Sequence, residues 1–141
     1  MFQVVNDLVI VKDFAGSAYL PEWDFNGIGL MGIGQGYQAK ATDFVSFDIC
    51  GERLNPEEHP ISLSIGWNMI GYLRQEPAQI AAVLADVTQT NNLIIAKDYM
   101  GNAYLPEWDF NGIGDMKPGR GYQLKVVLDD VLYFLSNSES Y

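Results

Sequence analysis

One stretch of this chain carries apolar residues at helical spacing, and the rest reads as short strands broken by turns. Ile80, Val83, Leu84 and Val87 recur as one face of a helix. Pro77 suits its first turn, where a missing N–H costs nothing. The spacing predicts a helix over residues 77–87, the only one longer than two turns, with those four side chains facing the core. Ahead of it, residues 63–73 are apolar and aromatic and read as a strand bent at Gly66, with Trp67 a core residue. Beyond it, Asn91 and Asn92 break the pattern. Residues 93–97 and 103–105 then read as two strands joined through the turn residues 98–102, a hairpin. Residues 106–121 form a long glycine-rich excursion. A further strand follows over 122–127, with Tyr122 in the core, and a short one over 131–134.

The same pattern occurs twice. Residues 8–38 align with 93–123 without a gap, Leu8 falling on Leu93, and the twelve residues from Ala18 to Gly29 recur letter for letter from Ala103 to Gly114. Identical turn chemistry and apolar spacing predict one backbone conformation for both copies. The first copy should repeat the hairpin (8–12 and 18–20), the excursion, a strand over 37–41 and another over 44–49. Nothing in it corresponds to residues 61–87. The expected organisation is therefore an N-terminally truncated copy over 1–50, a polar, proline-flanked linker over 51–60, and a complete copy over 61–141, in one compact unit. The expected fold class is α+β, mainly β, with a duplicated hairpin-plus-strand unit sharing a core, barrel- or sandwich-like. A truncated copy would expose an apolar face and an unpaired strand edge. Either its strands join those of the second copy, or a second chain covers them, giving an edge-sharing dimer or a string of modules.

Duplication also bears on function. Active sites are normally built once per domain, whereas packing units and binding surfaces are readily duplicated. With 141 residues and 48% hydrophobic content there is material for a packed core. A net charge of −10 opposes nucleic acid and anionic membranes as partners, since both need a basic face. The single cysteine, Cys50, excludes an intrachain disulfide and reads as a small buried apolar residue. Residues 1–7 lack the basic start and apolar run of a signal peptide, and no stretch approaches a membrane span.

Several residues together carry a resemblance. Gly66-Trp67-Asn68-Met69-Ile70, followed by Lys97-Asp98, Gly101, Tyr104, Pro106, Asn111, Ile113-Gly114 and Pro118-Gly119-Arg120-Gly121-Tyr122-Gln123-Leu124-Lys125, resembles a repeat of bacterial surface and secreted proteins, common in large proteins of marine bacteria. Those modules pair a Gly-Trp-Asn opening strand with a Pro-Gly-x-Gly-Tyr closing strand. The resemblance spans residues 62–127. In the first copy Gly32-Ile33-Gly34 departs from the Lys117-Pro118-Gly119 form. It implies an extracellular or cell-surface accessory module within a longer protein, with no catalytic residue to carry over.

Candidate chemistry is sparse. Gly27, Gly29 and Gly32 spell the glycine pattern of a dinucleotide site, but no helix can start at Ile33-Gly34-Gln35-Gly36, so they read as turn glycines. Glu22, Asp24 and Asn26 before Gly27, like Glu107, Asp109 and Asn111 before Gly112, open as a calcium loop does. The twelfth position would be Ile33 or Pro118, so the EF-hand form fails; an irregular calcium site drawing on Asp13 and Asp98 is the remaining metal option. No other cofactor is implied. His59, the only histidine, has no counterpart in the duplication, and no serine elbow accompanies it, so no enzyme is expected. Glu22 with Asp24, or Glu107 with Asp109, could be imagined as a glycosidase pair, against which their duplication counts. The binding candidates are Tyr19, Trp23 and Asp24 with their copies Tyr104, Trp108 and Asp109, joined by Phe25 and Phe110. Aromatic faces beside carboxylates suit sugar rings, and two sites add avidity toward a polymer. The competing expectation is that most of these aromatics fill the core. The sequence thus points to a non-catalytic surface module serving assembly or adhesion, whose partners are other repeat modules or a polysaccharide; the alternative is a carbohydrate-binding module.

Overall fold

The computed structural model describes residues 7–48 and 50–141. In the first copy β1 (Leu8–Lys12) forms a hairpin with β2 (Ala18–Leu20), and β3 (Phe25–Asn26) folds back on β2. The fourth strand, β4 (Gln38–Ala41), pairs antiparallel with β1. After the intervening segment come β5 (Ile61–Leu63), β6 (Gly66–Gly71) and β7 (Ala78–Gln79). Two short helices follow, α1 (Ile80–Val83) and α2 (Ala85–Gln89). The second copy supplies β8 (Leu93–Lys97), β9 (Ala103–Leu105), β10 (Phe110–Asn111), β11 (Asp115–Met116), β12 (Gly121–Val126) and β13 (Asp130–Leu132). The fold is α+β and mainly β, and the sheets do not close into a barrel.

Two sheets carry the duplication. One has the order β3-β2-β1-β4, the other β10-β9-β8-β12-β6. Their first four strands correspond one to one, and backbone angles agree closely. Gly16 and Gly101 have φ of 85° and 84°, Gly34 and Gly119 both 76°, and Asp24 and Asp109 48° and 49°. The difference lies in β6, which pairs along the whole of β12 from Gly71–Gly121 to Gly66–Val126. Among the described residues, β6 meets the first copy on its other edge where Gly36 N–H donates to Met69 O (3.0 Å) and Gly71 N–H to Gly34 O (3.0 Å). A Cβ on Gly36 would stand 2.8 Å from Ile70 O, so only glycine permits this approach. The copies therefore meet at a strand edge.

They do not share a core. Among the described residues the connected buried cluster runs from Ile61 to Phe134 and includes Ile80, Leu84, Tyr104, Met116 and Leu124. Leu8 and Val11 are buried outside it.

Three local expectations need correction. The helix over 77–87 is split: Pro77 precedes it, Ala78 and Gln79 are taken into β7 by pairing with β11, and Leu84 (φ −95°, ψ 12°) interrupts the turns. Ile80, Val83, Leu84 and Val87 do face the core, so apolar spacing located the buried face while strand pairing set the helix start. No strand forms over residues 44–48, and Ile49 lies outside the described residues. The equivalent strand of the second copy, β13, pairs with β5 through Val131–Ser62, and among the described residues no strand pairs with 44–48. Finally, Cys50 is exposed, in a stretch with no helix or strand among the described residues.

Candidate functional site

The duplicated Pro-Glu-Trp-Asp-Phe-Asn segment builds one small projecting turn on each sheet. Leu20 is extended (φ −120°, ψ 95°), as the residue before proline prefers. Pro21–Trp23 then make a 3-10 turn closed by Asp24 N–H donating to Pro21 O at 3.2 Å. Asp24 takes the left-handed conformation that aspartate tolerates better than most residues, which turns Phe25 back to pair with Leu20. Asn26 Oδ1 accepts from Ile28 N–H (3.2 Å) and Gly29 N–H (2.9 Å), and Gly27 N–H donates to Ala18 O (2.8 Å). The second copy repeats each feature: Leu105 at φ −120° and ψ 93°, Asp109 N–H to Pro106 O at 3.1 Å, and Asn111 Oδ1 accepting from Ile113 (3.1 Å) and Gly114 (2.8 Å).

This geometry puts the tip aromatics in water. Trp23 and Trp108 are each 74% exposed, and Phe25 and Phe110 are about half exposed, at 52% and 53%. The expectation that most of these aromatics fill the core fails for these four, because the tryptophans end a projecting 3-10 turn and the phenylalanines sit on the outermost strand that follows it. It holds for Tyr104, which is buried. Burial raises the pKa of Tyr104, and the neighbouring Asp109 carboxylate adds to the rise. Tyr19 is half-buried. Asp24 and Asp109 are exposed beside their tryptophans. The two triads are not brought together: β3 and β10, which carry the tips, are the outermost strands of different sheets. Each tip thus exposes a tryptophan followed in sequence by an exposed aspartate.

The remaining candidates resolve into turn chemistry. The Gly27–Gly29–Gly32 pattern is followed by bends and a turn, with no helix N-terminus to receive a phosphate. Asp13 Oδ1 accepts from Ala15 (3.0 Å) and Ser17 (2.8 Å), and Asp98 Oδ1 from Met100 (3.0 Å) and Asn102 (2.9 Å), so each caps its hairpin. Among the described residues no three His, Cys, Asp or Glu side chains converge as a metal group. His59 sits half-buried after a 3-10 turn at Pro56–Glu58. Among the described residues no helix is long and apolar enough to cross a membrane.

Sequence reading missed one surface. Trp67, expected in the core, lies half exposed on the open face of the five-stranded sheet, opposite Lys125. The ammonium groups of Lys97 and Lys125 stand 5.4 and 5.8 Å from its ring centroid. Strand alternation carried the signal: Tyr122, Leu124 and Val126 point inward, so Lys125 and the residue paired with it must point out. Beside this face, Tyr37, Gln38 and Ala39 of the first copy and Met69, Lys97 and Gln123 of the second line a cleft of about 490 Å³. Comparison with protein-family models, curated proteins and solved structures finds no match to this chain.

Proposed function

We propose that the chain is a non-catalytic, extracellular repeat module of a larger surface protein, serving adhesion and assembly. The observation that carries this reading is the paired display of Trp23 and Trp108, equally exposed, on turns of matching geometry at the outer strands of two sheets. Large aromatics held in water by a hydrogen-bonded turn are available for contact, and two of them on one chain give avidity to a repeating surface. The acidic composition suits this role, since it keeps a protein with exposed tryptophans dispersed. The test is adhesion of beads coated with the full chain to polysaccharide and protein surfaces. Trp23→Ala or Trp108→Ala should each weaken attachment, and the double variant should abolish it at unchanged thermal stability. Attachment unaffected by the double variant would sink the reading.

A second reading, carbohydrate binding at the same tips, is favoured by exposed Asp24 and Asp109 following the exposed tryptophans in sequence, a pairing of residue types that suits sugar hydroxyls and C–H faces together. A glycan array separates it from protein–protein adhesion: retention of a defined glycan class, lost in the double variant, supports it.

A further inference from the structure

Two of the chain's eight cationic side chains are held over one half-exposed indole, in a protein whose net charge is −10. Strand register explains how they meet. On the outward face of the five-stranded sheet, Lys125 of β12 lies between Trp67 of β6 and Ile95 of β8, and Gln123 lies between Met69 and Lys97. Lys97 is two strands from Trp67, about 10 Å by sheet spacing, yet its ammonium stands 5.4 Å from the indole centroid. The two side chains therefore reach toward each other across β12, and the Lys125 ammonium closes to 5.8 Å. Half of Trp67 remains in water (49%). Among the described residues no carboxylate pairs with either ammonium, although the chain has 18 acidic residues. Asp98 engages its carboxylate in its own turn, where it accepts from the Met100 and Asn102 N–H groups and the Asn102 side-chain amide. Beside the indole, the cleft of about 490 Å³ takes in Met69, Lys97 and Gln123, with Tyr37 and Gln38 from the first copy, a volume ordinary for a small-molecule site. Arg120 stacks at 4.9 Å on Tyr99, another lining residue, and brings a third cation close to the cleft.

We infer that this face is a binding site for an acidic sugar, a uronic acid unit of a short oligosaccharide. The C–H face of a pyranose ring stacks on the exposed part of the indole. A uronate carries its carboxylate on the ring itself, so stacking sets the acid at the ring's edge, within reach of ammonium groups beside the indole. A carboxylate is a stronger partner for an ammonium than a neutral ring is, so Lys97 and Lys125 pass from Trp67 to the ligand. Gln123, directly opposite Lys97, supplies an amide for the sugar hydroxyls. The net charge opposes a long polyanion, which meets acidic surface wherever it runs past the cationic face. A short acid escapes most of that repulsion, since exposed charges beyond about 8 Å are screened at physiological salt. The site is separate from the tips: β6 and β10 are opposite edges of the sheet, about 19 Å apart, so binding here does not depend on adhesion through Trp23 and Trp108.

The test is titration of the intact chain with a trimer of galacturonic acid, following the indole N–H resonances of its three tryptophans. One-to-one saturation that moves Trp67 and leaves Trp23 and Trp108 in place is expected, with the neutral galactose trimer bound roughly tenfold more weakly or worse. Lys97→Gln combined with Lys125→Gln should cost a similar factor. Lys12→Gln combined with Lys40→Gln removes the same charge from the corresponding positions of the first copy and should leave affinity unchanged. The Trp23 and Trp108 resonances report that each variant is folded. Should the Lys97, Lys125 pair disturb the sheet, Trp67→Leu read by calorimetry takes its place, and binding retained there overturns the inference. So does absence of saturable binding, equal affinity for the neutral trimer, or an equal loss in both lysine pairs, which would mean bulk charge alone. Shifts confined to Trp23 and Trp108 overturn it as well and put the sugar at the tips, so failure of this site and failure of the tips are told apart in one titration.

Discussion

Two stretches of nearly the same sequence fold the same way here and end in different states of burial. Val11 and Ala96 are both buried at the centre of their hairpins, yet Tyr37 is only half-buried where Tyr122 is enclosed, and Ala39 and Ala41 are exposed where Leu124 and Val126 are covered. Local conformation follows local sequence: turn residues, a proline and left-handed glycines produce the same angles twice. Burial follows residues 61–89, whose apolar side chains join the second copy in one buried cluster. A β-hairpin with one further strand is marginal by itself, and its stability comes from the layer packed upon it.

The sharpest way to break this comparison is a matched truncation. Met116→Ala removes a fully buried side chain and should destabilise by about 2–5 kcal/mol. Met31→Ala, at the corresponding open position, should cost about 1 kcal/mol or less. Urea unfolding of both variants checks this, and equal costs would mean that Met31 is as enclosed in solution as Met116.

A smaller effect probes the seam between copies. Ala at Gly36 would place its Cβ 2.8 Å from both Ile70 O and the Met69 side chain, whereas at Gly121 the nearest atom is 3.6 Å away. Gly36→Ala should therefore cost about 1–3 kcal/mol and part the first sheet from β6. Gly121→Ala should be close to neutral. Loss of the Gly36–Met69 amide protection in hydrogen exchange, without loss of protection in β12, is the expected signature.

How much of this was legible beforehand divides along the same line. Strand positions in both copies were readable because hairpin turns and short apolar runs are local signals, and β8, β9 and β1 fall where the pattern puts them. The buried face of Ile80, Val83, Leu84 and Val87 was readable too. What was not readable depended on partners distant in sequence. Residues 44–48 are apolar enough for a strand but among the described residues pair with none, and Ala78–Gln79 became a strand only because Asp115–Met116 lies alongside. At the candidate site the residue types were legible and their exposure was not. Trp23 and Trp108 look like core by size, and a single left-handed aspartate at each turn puts them outside. Trp67 was misplaced because its face is decided by the register with Lys125.

Alkaline titration offers a third comparison, among tyrosines of the second copy and the segment packed against it. Burial raises Tyr72, Tyr104 and Tyr122 above the ordinary value of 10.0, and Arg74 partly offsets the rise at Tyr72. Because the folded state holds these protons more tightly than the unfolded chain, their contribution is fully present below pH 10 and is lost as pH climbs through the raised folded values. Stability should thus fall above about pH 10 in urea titrations repeated across pH. Tyr72→Phe should flatten that slope, and a slope unchanged in the variant would remove burial of Tyr72 as its cause.

The smallest expected effect on stability is also the one that bears most on function. Trp23→Ala and Trp108→Ala each remove a side chain that is three-quarters in water, on turns whose hydrogen bonds come from Asn26, Asn111 and the backbone. Neither change should move the unfolding free energy by more than about 0.5 kcal/mol, and the two values should agree. Agreement is the informative part. The tips share sequence, angles and exposure, and differ only in whether residues 61–89 cover the sheet behind them. A larger cost at Trp108 would mean that the covered sheet extends its packing out to the tip, making the indole structural on that side. Equal and small costs, combined with loss of attachment in the double variant, would separate the surface that binds from the core that holds it in place.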